Sequence, residues 1–119
     1  MKQKTGRSFK NAFSGLWHFI RHERNGKIQA AIGICALLLA AFLKITRNEW
    51  IAVLLCIGSV LSMEMLNSAL EKLCDLVEPA VHPQIKIVKD TAAGAVLWVS
   101  MFSAVIGGII FLPEIFRYL

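Results

Sequence analysis

The sequence predicts an all-α integral membrane protein with three transmembrane helices and an N-terminal amphipathic surface helix. Its 119 residues are 56% hydrophobic and 18% charged, whereas globular domains average about 45–50% and about 25%. Three long apolar runs carry no charged residue, and the thirteen Lys and Arg residues lie between or beside them. A small domain needs many polar residues to cover its surface in water. The composition therefore indicates a single domain with lipid as its solvent.

The first 27 residues are predicted to form the surface helix. They contain seven Lys and Arg residues and a single acidic one. Apolar residues recur among them at spacings of three and four, at Phe9, Phe13, Leu16, Trp17 and Ile20. This pattern is typical of an amphipathic helix that lies on an anionic membrane surface. A basic chain can also indicate nucleic-acid binding. Here the basic residues flank apolar runs, so we predict no nucleic-acid partner.

The apolar runs predict the three transmembrane helices at residues 28–44, 50–76 and 91–112. The uncharged part of the first run is shorter than the ~20 residues that a span needs, but Lys27 and Lys44 at its ends can extend to the interface. Pro79 and Pro83 separate the second helix from the third, and Pro113 is expected to end the third, since proline interrupts helical hydrogen bonding.

The distribution of basic residues predicts the orientation in the membrane. With the N-terminus inside, the inner side has ten Lys and Arg residues and the outer side has three. Cytoplasmic loops carry the excess of Lys and Arg. The N-terminal segment and residues 72–90 are therefore expected in the cytoplasm, and the protein in the cell inner (plasma) membrane.

The second apolar run passes into a polar stripe on one helical face. Its members are Glu64, Asn67, Ser68, Glu71 and Asp75, which fall within an arc of about 100° at helical spacing. An ionised carboxylate at the hydrocarbon boundary costs several kcal/mol unless it meets a cation, a donor or water. The stripe is either the solvated end of a helix or a metal or proton site. Its oxygen ligands suit Mg²⁺.

Further polar residues flank the spans on the same side. Glu23 fits either a surface ion pair or the same site, and Asp90 fits either a helix N-cap or the same site. His82, between two prolines, is ordinarily a solvated loop residue. Carboxylates, an amide and Lys or Arg side chains can hold Mg²⁺ and a polyphosphate while one carboxylate accepts a hydroxyl proton. The sequence contains neither GxxxxGK[ST] nor GxGxxG, so side chains would have to hold any nucleotide.

The stretch Glu64-Met-Leu-Asn-Ser-Ala-Leu-Glu71, followed by Lys89-Asp90, resembles the prokaryotic diacylglycerol kinase family. Glu23-Arg24-Asn25 and His82-Pro83 are most similar to its undecaprenol kinase branch. The resemblance implies a homotrimer with active sites shared between subunits. It also implies an ATP- and Mg²⁺-dependent lipid kinase that converts undecaprenol to undecaprenyl phosphate. Diacylglycerol, giving phosphatidic acid, is the alternative acceptor.

The resemblance also implies roles for individual residues. Glu64 would be the catalytic base that takes the proton of the lipid hydroxyl, and Asn67 would support it. Glu23 and Glu71 would hold the Mg²⁺ bound to ATP. The remaining nucleotide contacts would come from Lys4, Arg7, Asn11, His82, Lys89 and Asp90.

Two functions of other classes fit the same stripe. A small oligomeric proton-coupled transporter could use Glu64 as a relay. However, the stripe lies at one interface, and transporter coupling sites lie near the middle of the bilayer. A structural membrane adaptor is the third alternative, and it would tolerate substitutions of Glu64, Asn67 and Glu71.

Overall fold

The computed structural model describes residues 5–119, and this part of the chain folds into four α-helices. They are α1 (Thr5–His22), α2 (Arg24–Leu43), α3 (Arg47–Val77) and α4 (Pro83–Tyr118). The most extensive interface is between α3 and α4. Helix α2 packs mainly against α3, and α1 packs against α2. The all-helical prediction is confirmed. The predicted site residue Lys4 lies outside the described residues.

Within residues 5–119, three helices are long and apolar enough to cross a membrane: α2, α3 and α4. Little of their apolar surface is covered by the rest of the chain, and large side chains such as Leu38, Leu55 and Ile109 are exposed. An apolar surface of this extent requires lipid or another protein chain against it. The prediction of three helices able to span the membrane is confirmed.

The first two helices meet earlier than the sequence predicts. α1 ends at His22, and α2 begins at Arg24, whereas the expected boundary was at residue 27. Glu23 interrupts the helices with an extended backbone (φ −91°, ψ 129°). Its carbonyl accepts the N–H of Lys27 at 3.0 Å, which starts α2. The sequence prediction starts the helix at its first uncharged residue. It misses this turn because the backbone of basic residues forms helical hydrogen bonds as well.

The fourth helix is longer than predicted at both ends. It begins at Pro83, whose missing N–H suits the first helical position, and the Nδ1 atom of His82 caps it by accepting the N–H of Gln84 at 3.1 Å. Asp90 therefore lies two turns inside α4, and its alternative role as an N-cap is wrong. The stop expected at Pro113 is also wrong, since α4 continues to Tyr118. A proline removes one backbone hydrogen bond, which a helix can lose near its end.

The turn between α2 and α3 is tightly defined. Lys44 adopts a left-handed conformation (φ 53°), and the N–H of Ile45 reaches back to the carbonyl of Ala40 at 3.4 Å. Thr46 and Glu49 then form a capping box, with reciprocal hydrogen bonds of 3.2 and 2.9 Å. The buried apolar cluster of the chain lies at this end, and comprises Ala40, Leu43, Ile45, Val53 and Ile110.

The corner between α1 and α2 depends on a close approach at Gly26. A Cβ atom at this position would lie 2.6 Å from the carbonyl oxygen of Phe19 and 3.0 Å from its ring. Both residues are buried. Only glycine allows the first turn of α2 to pack directly on the last turn of α1, and this contact sets the position of Glu23 between them.

We therefore expect Gly26→Ala to loosen this corner, at a cost of about 1–3 kcal/mol, because a methyl group cannot fit against a backbone carbonyl. The melting temperature of the full chain in detergent should fall. Gly15→Ala on α1 is the matched control, since a Cβ atom there meets nothing within 4 Å. Equal melting temperatures for the two variants would contradict the close-packing interpretation.

A candidate acidic site at the end of α3

The polar stripe of α3 becomes more exposed toward the C-terminal end of the helix. Glu64 and Asn67 are only 6% and 8% exposed, Ser68 is half-buried, and Glu71 and Asp75 are exposed. The buried face of α3 repeats every seven residues through Val53, Val60, Asn67 and Cys74. Glu64 lies four residues after Val60, on this same face. The stripe thus leads from an exposed helix end to a buried carboxylate.

Two buried oxygen atoms of the stripe lack a partner among the described residues. They are Oε2 of Glu64 and Oδ1 of Asn67, one helical turn apart. A buried polar atom without a hydrogen bond costs about 1–3 kcal/mol, so such atoms are rare without a functional reason. Both atoms are acceptors in their usual forms. A ligand that brings a hydroxyl group or a cation would satisfy them.

Glu71 lies two turns beyond Glu64 on the same face. Its negative charge acts on Glu64 and also on Lys89 of α4. Two carboxylates in mutual range repel each other, and a cation placed near both relieves the repulsion. A cation between Glu64 and Glu71 would therefore be stabilised by both carboxylates.

Glu23 reaches α3 from the corner between α1 and α2. Its carboxylate forms an ion pair with the ammonium group of Lys72, which follows Glu71 directly in the chain. The Glu23 side chain does not cap α2 and is about one quarter exposed. The expected surface ion pair is present, but its partner belongs to α3 and is not one of the neighbouring basic residues of Glu23.

Two further ion pairs lie at the same end of the molecule. Nζ of Lys89 is 2.5 Å from Oδ1 of Asp75 and joins α4 to α3. Nζ of Lys86 is 2.5 Å from Oδ2 of Asp90, one turn away within α4. Lys89 thus contacts the stripe, whereas Asp90 is the next residue in the chain and pairs within α4.

The other predicted nucleotide contacts are more distant or otherwise engaged. His82 is exposed, and its Nδ1 accepts the N–H of Gln84 at the start of α4. Arg7 and Asn11 are exposed on α1. At about 1.5 Å per residue, Arg7 lies roughly 22 Å along this helix from its C-terminal end. Glu64, Asn67, Glu71 and the ion pairs of Glu23 and Lys89 make up the site that the structure assembles.

The donor atoms of this site fit a magnesium–nucleotide complex better than a bare metal ion. Across residues 5–119, no group of three or more His, Cys, Asp or Glu side chains is placed to hold a metal. Mg²⁺ is usually bound by one or two carboxylates, with substrate phosphates and water completing its coordination. Glu71 offers a carboxylate of this kind. Glu23, which is paired with the neighbouring Lys72, offers a second.

Sequence reasoning missed two residues that shape the site. Lys72 was counted only for orientation, and the close contact at Gly26 was not anticipated. The partner of Lys72 was not readable, because the ion pair joins residues 49 positions apart, Glu23 and Lys72.

Comparisons with known proteins cover the whole of this site. Residues 10–111 match the profile of a family described as prokaryotic diacylglycerol kinase. The undecaprenol kinase of Bacillus subtilis (strain 168) is 42% identical over 110 residues, which cover 92% of this chain and 89% of that protein. A diacylglycerol kinase of Synechocystis is 33% identical over 109 residues, which cover 91% of this chain and 62% of that protein.

Proposed function

The chain belongs to the prokaryotic diacylglycerol kinase family, and from this premise we propose that it phosphorylates undecaprenol with ATP at the cytoplasmic face of the membrane. The predicted lipid kinase, a phosphotransferase with an alcohol acceptor, is confirmed by the family. The observation that carries the detailed proposal is the buried Glu64, whose Oε2 has no partner among the described residues.

The choice of acceptor rests on the degree of similarity. The relative named undecaprenol kinase shares 42% identity and matches over nearly its full length. The relative named diacylglycerol kinase shares 33%, and the match covers less than two thirds of its length. Diacylglycerol remains the alternative acceptor, because both lipids present a primary hydroxyl and differ mainly in their tails.

In the proposed orientation, the site faces the cytoplasm, where ATP is available. The excess of Lys and Arg lies on the same side as Glu71 and Asp75, as expected for a cytoplasmic surface. Phe9, Phe13 and Trp17 are exposed on α1, which suits an amphipathic helix resting in the interface. A lipid hydroxyl at this depth can meet a nucleotide without leaving the bilayer.

Glu64 is the proposed catalytic base. The lipid hydroxyl oxygen attacks the γ-phosphorus of ATP, the bond from this phosphorus to the ADP oxygen breaks, and Glu64 accepts the hydroxyl proton. Asn67, one turn away and also buried, orients the hydroxyl toward the phosphorus. Direct transfer needs no phosphorylated protein intermediate, and its rate depends mainly on positioning and charge stabilisation.

Glu23 and Glu71 are the proposed residues that hold Mg²⁺ with the nucleotide. When bound, Mg²⁺ neutralises charge that develops on the transferred phosphoryl group. The nucleotide contacts predicted for Lys89 and Asp90 require these residues to release Asp75 and Lys86. Arg7 and Asn11 are exposed and can turn toward a phosphate, and His82 can offer its Nε2 while its Nδ1 caps α4. Lys4 stays a prediction outside the described residues.

A homotrimer is part of the proposal. The three long helices leave most of their apolar surface uncovered within one chain. Neighbouring subunits would cover part of this surface and bring further groups to the stripe. The transporter and adaptor alternatives are set aside, because the family to which the chain belongs is one of lipid kinases.

The test is a side-by-side assay of the purified protein in lipid nanodiscs with Mg-ATP and either undecaprenol or diacylglycerol. We expect phosphate transfer to undecaprenol with a kcat/KM at least tenfold above that for diacylglycerol. Glu64→Gln protein in the same nanodiscs supplies the background. A reversed preference would identify the chain as a diacylglycerol kinase, and absence of transfer to both lipids would reject the proposed chemistry.

A further inference from the structure

The corner at Glu23 is joined to α3 by a side-chain ion pair. The backbone around Glu23 is fixed on both sides, since its N–H donates to Phe19 and its carbonyl accepts from Lys27, each at 3.0 Å. The Glu23 side chain makes no capping bond to α2. Its carboxylate points to α3 and pairs with Lys72.

Lys72 differs from the other cations at this end of the molecule. Lys86 pairs within its own helix, and Lys89 joins the neighbouring helices α3 and α4. Lys72 instead links α3 to the corner formed by α1 and α2. It also follows Glu71 directly in the chain, so the carboxylate of Glu23 is held at the same turn of α3 as Glu71.

We propose that Lys72 is a positioning residue: it holds Glu23 beside Glu71 in the nucleotide-free protein and yields Glu23 to the magnesium–nucleotide complex when that complex binds. This inference rests on the proposed function. In this role, the ammonium group of Lys72 balances the charge of the Glu23 carboxylate until the magnesium–nucleotide complex binds.

Electrostatics explains why such a residue is needed. Without a cation, Glu23 and Glu71 would bring two carboxylates to one turn of α3, and like charges repel. The corner would then move away from α3 and the site would have to reassemble at every turnover. A lysine provides the compensating charge on a flexible stem. Because the lysine side of the ion pair is exposed, with Lys72 59% accessible, water screens the pair and it is weak enough to exchange.

The test is hydrogen–deuterium exchange of residues 19–27 in the full-length protein in nanodiscs, comparing the unsubstituted chain with Lys72→Met. Without nucleotide, we expect roughly two- to fivefold faster exchange in the variant, as the loss of an exposed ion pair permits. Addition of Mg²⁺ with a non-hydrolysable ATP analogue should restore the original protection, because the metal replaces the missing charge.

Two control variants define the effect. Lys72→Arg keeps the charge and should retain slow exchange. Lys86→Met removes a different exposed lysine at the same end of the molecule and should leave residues 19–27 unchanged.

Each outcome decides the inference. Unchanged exchange in Lys72→Met without nucleotide would overturn it. Faster exchange that the magnesium–nucleotide complex does not reverse would also overturn it, because the metal would then not replace Lys72 at Glu23. Failure of the proposed function would be seen in a different measurement, as absence of phosphate transfer by the unsubstituted protein to either lipid. The comparison of exchange rates without nucleotide does not depend on that assay.

Discussion

Glu64→Gln should abolish phosphate transfer, with a decrease in kcat of about 10²–10⁴-fold, the contribution typical of a general base. Glutamine keeps the size of the side chain and its hydrogen-bonding carbonyl, but it cannot accept the hydroxyl proton. The fold should survive, because the change removes a carboxylate that is 6% exposed and has an oxygen without a partner among residues 5–119. Stability should therefore be equal or higher. Radiolabelled phosphate transfer and the melting temperature measure the two expectations.

Glu114→Gln is the matched control for this variant. Glu114 lies on α4 near the opposite end of the molecule and pairs with Arg117 at 3.4 Å, so its substitution should leave transfer unchanged. If Glu64→Gln turns over at the normal rate while remaining folded, Glu64 is not the base. If Glu64→Gln loses both activity and thermal stability, the carboxylate has a structural role instead.

Glu71→Gln should shift the magnesium dependence of the reaction to higher concentration, by about tenfold or more, in addition to lowering turnover. The removal of one of two carboxylate ligands weakens metal binding, and 1.4 kcal/mol of lost binding energy corresponds to a factor of ten. Part of the lost turnover should return at high Mg²⁺. The measurement is a titration of initial rate against free Mg²⁺ at saturating ATP and lipid.

Glu78→Gln provides the comparison for Glu71→Gln. Glu78 lies just beyond the end of α3, where its Oε1 accepts the N–H of Ala80, and glutamine can accept the same bond. Its magnesium titration should match that of the unsubstituted protein. If the titration of Glu71→Gln matches as well, the proposed ligand role of Glu71 is rejected, whatever happens to its maximal rate.

Much of the fold was readable in the sequence because lipid imposes a simple requirement on it. A run of about 20 apolar residues almost always forms a helix, since the bilayer offers no other partner for its backbone groups. The stripe from Glu64 to Asp75 was readable for a similar reason, because the helical period alone places its members on one face. These features depend on residues close together in the chain.

The helix ends and the contacts between helices were less predictable. Charge counting placed the start of the third span at residue 91, whereas the cap at His82 begins α4 at Pro83. The period of α3 does not reveal that Lys72 faces Glu23, because that contact depends on the close approach at Gly26. Such pairings arise from tertiary packing, which no local pattern encodes.

The position of the buried apolar cluster has a consequence for how a long-tailed substrate enters. The cluster around Val53 and Ile110 joins the helices at the end next to the α2–α3 turn, about 16 Å along α3 from Glu64 by helical rise. The opposite end lies outside this cluster, and the contacts between helices there include exposed ion pairs, which contribute little stability. We expect the helices to separate more readily at this end than at the cluster. The polyprenyl tail of a substrate would then enter laterally from the bilayer, while the contacts of the cluster stay intact.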